Sequence, residues 1–191
     1  ALPAGIERYM GKATTLMILA IALLFIIAPP AGAKDGFYLG INMLFNDVSG
    51  DINAPEYIES GHGLGLHGGY GLSQNLAIEA GIWKTKHSNK DAGKAADLKA
   101  GAIDLKVNVP LVGSNIEPYL LFGAGICTIE QKGISKEGKG GRVGIGIDIY
   151  LVPDVSLNVG FTRSNVTFKH NSADIDGRIT TMDFGLTYHF I

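Results

Sequence analysis

Disulfide chemistry has almost no material here: one cysteine, Cys127, stands in the 191-residue chain. No internal disulfide is available. Charge of one sign is equally scarce. Sixteen basic against eighteen acidic side chains leave a formal net charge of −2, too little to favour a nucleic-acid partner. Tryptophan occurs once, as Trp83. Beyond one stretch near the N-terminus there is no apolar run of helix length, so no helical membrane crossing is offered. Glycine, with 27 residues, is abundant, which argues against a helical bundle.

The exceptional N-terminal stretch reads as a targeting segment. Met10-Gly11-Lys12 opens a short basic region, and Leu16–Ala28 is wholly apolar. Pro29-Pro30 breaks the run, and Ala31-Gly32-Ala33 supplies the small residues a signal peptidase reads. The run falls short of the ~20 residues needed to span a bilayer. The expectation is a secretory signal over residues 10–33, helical and cleaved near Ala33. Residues 1–9 read as an upstream extension, and 34–191 as a single domain.

That domain alternates with period two. The last segment, Thr181–Phe190, is the clearest: Met182, Phe184, Leu186, Tyr188 and Phe190 share one face, and Asp183, Gly185, Thr187 and His189 the other. Seven earlier segments repeat the pattern, at Phe37–Phe45, Gly63–Leu72, Leu76–Lys84, Leu98–Val109, Pro118–Ile129, Arg142–Val152 and Val155–Phe168. Short or proline-bearing connections at 73–75, 110–117 and 153–154 alternate with longer polar ones at 46–62, 85–97, 130–141 and 169–178. Short turns on one side and long loops on the other are the habit of outer-membrane barrels. A soluble eight-stranded barrel would put its apolar face inward. Here the opposite face is too rich in glycine to read as a water-facing surface, and the secretory segment also favours lipid outside.

With these residues in view, the chain resembles the small eight-stranded outer-membrane proteins of Gram-negative bacteria: the OmpA transmembrane domain, OmpX and the opacity-type barrels. Tyr38-Leu39-Gly40, Glu117-Pro118-Tyr119-Leu120 with Gly123 and Gly125, and the ending Tyr188-His189-Phe190 before Ile191 carry the likeness. The resemblance implies an all-β, antiparallel, up-and-down transmembrane barrel in the bacterial outer membrane. It implies contact with outer-membrane lipid and lipopolysaccharide, and insertion by the barrel-assembly machinery, which reads such aromatic endings. A monomer without cofactor or nucleic acid is the expectation.

The polar faces put Glu79, Asp104, Lys106, Arg142, Asp148 and Asp183 inside, with His67 and His189. Buried charges must pair. Glu79 and Lys106 stand at similar height on neighbouring strands, so a direct bond is expected between them. Arg142, read as near the top of its strand, would meet loop acids or Asp183. This network reads as a plug, because eight-stranded interiors are just wide enough to fill with side chains. A narrow pore for small solutes is the alternative, kept open by the space that inward glycines leave. Phe37, Tyr70, Tyr188 and Phe190 at the lower strand ends, and Phe45 at an upper end, read as membrane-interface aromatics. Trp83 falls inside by strict alternation, or outside if a bulge intervenes.

Three further constellations stand out. His170 and Ser172 in the last outer loop have the spacing of a nucleophile pair, and lipid A deacylases are eight-stranded barrels carrying such a pair. The motif is short, and Ala173-Asp174 follows the serine where that family has Asn-Ala. His87 and Ser88 lack the spacing. His62 beside Glu56 and Glu59 is not a proper metal set, so no metal is expected. The favoured role is structural or surface-interacting, with a barrel presenting four outer loops.

Overall fold

A computed structural model describes residues 36–50, 60–87, 96–131, 134–170 and 173–190. The upstream extension and the signal segment lie outside the described residues. Eight strands follow one another: β1 (Gly36–Gly50), β2 (Gly61–Ser73), β3 (Leu76–His87), β4 (Ala96–Asn108), β5 (Ile116–Gln131), β6 (Ile134–Val152), β7 (Val155–His170) and β8 (Ala173–His189). Each pairs antiparallel with its sequence neighbour, and β1 pairs with β8 to close the barrel. Closure leaves no unpaired strand edge, which is what a sheet in hydrocarbon requires.

The register sets the barrel's shape. A walk along hydrogen-bonded partners from Phe37 passes Tyr70, Ile78, Leu105, Phe122, Val143, Arg163 and Thr180. It returns to β1 at Asp47, ten residues beyond its start. That shear tilts eight strands by about 40°. It also means that residues paired across the ladder climb steadily from β1 towards β8. The turns at the end that holds both termini are tight. Two residues separate β2 from β3 and β6 from β7, and each of these hairpins carries a register shift, at Gly71/Ser73 and Tyr150/Val152. The longer β4–β5 turn holds Gly113 at a φ of 73°, in the left-handed region that suits glycine.

At the other end the strands run further than alternation of the apolar residues suggests. The segments 130–141 and 169–178, expected as loops, are mostly strand: β5 and β6, like β7 and β8, are separated by two residues only. A tilted strand crosses a bilayer in about 9–11 residues, whereas β6 has 19 and β8 has 17. The surplus stands clear of the membrane. Its physical cause lies in the side chains. On β8, Met182, Phe184, Leu186 and Tyr188 point out, but Ile179 points in, 4 % exposed. On β7 the outward Leu157 and Phe161 give way to inward Val166 and Phe168. Through the outer stretches of β7 and β8 the ladder runs without a register shift; the apolar residues change sides.

Candidate functional site

In the lower interior, polar side chains from all round the wall meet. Lys106 is buried and donates from Nζ to Asp148 Oδ2 at 2.7 Å. Its ammonium also lies 4.2 Å from the centroid of the Tyr119 ring and 5.7 Å from that of Tyr38, a cation–π enclosure. Asn158 Nδ2 donates to both Asp148 Oδ1 at 3.0 Å and Tyr119 Oη at 2.8 Å. Glu79 accepts from Tyr38 Oη at 3.1 Å. The expected Glu79–Lys106 bond is therefore replaced by an exchange of partners. In the ladder Lys106 stands opposite Ala77, and Glu79 opposite Asp104. The long lysine arm crosses the lumen to β6, while tyrosine from β1 satisfies the glutamate.

One level up, Asn42 Nδ2 donates to Asp183 Oδ1 at 3.0 Å, and His67 Nε2 hydrogen-bonds with Thr187 Oγ1 at 3.0 Å. At the floor, His189 Nε2 lies 3.2 Å from Ser156 Oγ. Arg142 is not near the top of its strand, since β6 continues outward to Ile134. It sits within the interior, with Nε 3.3 Å from Asp104 Oδ1 and its guanidinium 5.0 Å from the centroid of Trp83. The Arg142–Asp104 contact is an ion pair by distance but is misaligned for a hydrogen bond. It is the weaker of the two charge pairs. The ladder runs unbroken from Gly65 through Trp83 to Ala100, so Trp83 has no bulge and faces inward. A chamber of 50 Å³ separates these groups, room for a few waters beside polar atoms such as Trp83 Nε1 and His67 Nδ1.

Inward glycines do not leave this lumen open. A Cβ on Gly69 would strike the Tyr38 ring, and one on Gly146 the Tyr119 ring. These two glycines are seats for aromatic side chains from neighbouring strands.

Above the network the interior becomes apolar. Val48, Leu98, Cys127, Ile129, Val166, Phe168 and Ile179 form one buried cluster, with Ala100 and Ile175 packed against it. Phe168 is 0 % exposed, and a Cβ on Gly138 would meet its ring. Asn46 Nδ2 donating to Thr85 Oγ1 at 3.1 Å, and Thr85 with His87 Nε2 at 3.0 Å, form the boundary. Cys127 is thus an apolar wall residue, buried among carbon.

The outer surface changes at the same level. Phe37, Tyr70, Tyr188 and Phe190 all point outward at the lower rim. Phe37 packs edge-on to Tyr70 at 4.8 Å, and Tyr188 to Phe190 at 4.9 Å. Phe45 lies higher, 6.3 Å from Phe184. Beyond Phe45 the next outward residue of β1 is Asp47; beyond Ile82 of β3 come Lys84 and Lys86; beyond Phe161 of β7 comes Arg163. Lys84 pairs with Asp97 at 2.6 Å and Lys99 with Glu130 at 2.8 Å, all partly exposed.

The chain matches the model of the outer membrane protein beta-barrel domain over residues 17–190. It belongs to that family. Among solved structures it is similar to Neisserial surface protein A, at 18% identity and a TM-score of 0.63, covering 81% of this chain and 97% of that one. Ail, the attachment invasion locus protein of Yersinia pestis, is 16% identical with a TM-score of 0.56, covering 82% and 99%. OprG of Pseudomonas aeruginosa is 14% identical with a TM-score of 0.51, covering 83% and 98%. At such identities the likeness is one of fold. No curated protein matches.

Ser172 and the His170 side chain lie outside the described residues, as do Glu56 and Glu59. His62 is outward-facing on β2. Among the described residues no group of three or more His, Cys, Asp or Glu side chains is placed to hold a metal ion. What alternation did not reveal is the part played by Tyr38, Tyr119, Asn42 and Asn158, which link the charges, and the whole apolar cluster. The cluster's signal was present: Val48, Cys127 and Ile129, Val166 and Phe168, and Ile179 occupy the parity that lower down belongs to polar residues.

Proposed function

We propose that this outer-membrane barrel is a sealed anchor with a structural or surface-interacting role, and neither a pore nor a hydrolase. The observation that carries this reading is the apolar cluster stacked on a filled polar network. An ion crossing the lumen meets the Lys106–Asp148 pair and then an apolar plug around Phe168. Desolvating an ion there has no compensating ligand. The strands that rise beyond the bilayer give the outer connections a rigid base, which suits contact with lipopolysaccharide, another cell or a matrix. The barrel works as a monomer on this reading, and its aromatic end addresses it to the assembly machinery. In planar bilayers the folded protein is expected to be silent at all voltages; regular unitary steps would refute the sealed lumen. Against the hydrolase, lipid A from cells with and without the protein is expected to show one acylation pattern by mass spectrometry. Loss of an acyl chain dependent on Ser172 would establish the enzyme instead.

A further inference from the structure

At the lower rim the lumen widens into a blind vestibule of 290 Å³. Its roof is the Lys106–Asp148 pair. Its wall carries a row of three rings, Tyr38, His189 and Tyr150, with successive centroids 5.5 Å and 5.4 Å apart. The β4–β5 turn lays Leu111 along one side, and Asn108 and Glu117 line it near the strand ends that flank the turn. This end of the barrel bears the tight turns, so the vestibule opens to the periplasm.

The hydrogen-bonding inventory of the rim is one-sided. Lys106 is the only lysine or arginine among the described lining residues, and Asp148 holds its Nζ at 2.7 Å. Asn75 Nδ2 donates to Asn108 O at 3.1 Å, and Asn115 Nδ2 to Tyr150 O at 3.1 Å. Acceptors remain on offer. Asn108 Oδ1 is buried and has no hydrogen-bond partner, a costly state unless a donor is supplied. The Glu117 carboxylate provides about four lone-pair sites. One level higher the barrel shows what such a wall accepts: the Lys106 ammonium lies against the Tyr119 and Tyr38 rings with Asp148 beside it. Rings and a carboxylate recur in the vestibule, as Tyr150, His189 and Glu117.

We propose that the vestibule binds a small linear primary amine from the periplasm. An alkylammonium has three donors and no acceptor, the complement of this lining. Its head sits between Asn108 and Glu117 against the ring row, where a cation gains from aromatic faces. Its methylene stem lies along Leu111 and Ala77. The volume stands at the bottom of the range of about 300–1,000 Å³ typical of ligand pockets, so it suits a short amine and not a polysaccharide. An anion fits poorly, because it would face Glu117 while the Lys106 ammonium is committed to Asp148. The proposal takes its closed roof from the sealed-anchor reading, and adds a ligand on the periplasmic side.

The test is calorimetric titration of the full folded barrel in detergent with cadaverine, and with glutarate as a probe of similar length and opposite charge. The expected result is one cadaverine bound per barrel and no glutarate. Asn108→Ala removes an acceptor that has no partner within the protein, so the barrel is expected to keep its heat-modifiable migration while binding cadaverine about tenfold more weakly. Glu117→Gln is expected to weaken it by at least as much. Asp154→Asn removes a carboxylate from the β6–β7 turn, outside the vestibule lining, and is expected to leave binding unchanged. Absence of cadaverine binding overturns the site. So does equal binding of glutarate, or an equal loss from Asp154→Asn and Glu117→Gln, which would mean general attraction to an acidic rim. Binding that emerges only when residues 34 and 35 are deleted would give the vestibule to the chain's own amino end and overturn the ligand. Conductance of the same samples reads the seal separately: a silent barrel that ignores cadaverine defeats this proposal alone, and a conducting barrel that binds it defeats the sealed lumen.

Discussion

Below the level of Phe45, Ile82 and Phe161 the barrel wears its apolar side chains outside and its charges inside; above that level the two exchange places. The lower half holds Lys106 and Asp148 in its lumen and shows Ile145 and Phe184 to lipid. The upper half holds Leu98 and Phe168 in its lumen and shows Lys139 and Arg178 outward. One unbroken ladder serves both halves, so the backbone is indifferent to its solvent. The difference teaches that side-chain parity alone sets the outer limit of the membrane. The lower half is built as an outer-membrane barrel, and the upper half as a small water-soluble one.

The comparison breaks most severely where a charge is stranded. Asp148→Ala leaves Lys106 buried without its 2.7 Å partner, and a loss of about 3–5 kcal/mol is expected in denaturant titrations from lipid vesicles. Removing both charges together, as Lys106→Met with Asp148→Leu, is expected to recover most of that loss, because the cost lies in the orphan. In the upper half the equivalent wound is a cavity. Phe168→Ala is expected to cost about 3–5 kcal/mol of local stability, seen as faster hydrogen exchange of β7 and β8 above Thr181 while the membrane band stays protected. A conducting Phe168→Ala barrel beside a silent parent would locate the seal in the plug.

Outward substitutions sharpen the contrast. Ile145→Lys lies within the lipid band and is expected to cost about 2–4 kcal/mol. Glu137→Lys, farther out on the same strand and the same face, is expected to stay within about 0.5 kcal/mol. The smallest effect belongs to the exposed pair at the rim: Asp97→Ala, which frees Lys84, is expected to change stability by no more than about 1 kcal/mol, and less at high salt.

Much of this architecture is legible in the residues. Period-two alternation gives the strands, their order and which face meets lipid, because a strand offers only two sides. The inward set Glu79, Asp104, Lys106, Arg142, Asp148 and Asp183 can be named the same way. Partners cannot. Shear offsets every ladder pair, so that Lys106 finds Asp148 across the lumen, and Tyr38 takes Glu79, pairings that strand position alone does not rank. Arg142 reads as terminal only if β6 ends with its lipid-facing residues, whereas the strand continues to Ile134. The outer third was legible in principle. Cys127 and Ile129, or Val166 and Phe168, look like loop residues if apolar must mean outward, and like core residues once a second solvent is allowed. Glycines misled for a related reason: an absent side chain reads as space, yet at Gly69 and Gly146 that space belongs to Tyr38 and Tyr119.

The inversion itself is open to one direct measurement. Single nitroxide labels at positions 135, 137, 139, 143, 145 and 147 of β6 in vesicles, in a Cys127→Ser background, would be compared for collision with oxygen, which concentrates in lipid, and with a water-soluble nickel chelate. The expected result is a switch between Lys139 and Val143, with water exposure at 135–139 and lipid exposure at 143–147. A lipid signature that continues to 135, or a water signature that reaches 145, would contradict a barrel built for two solvents.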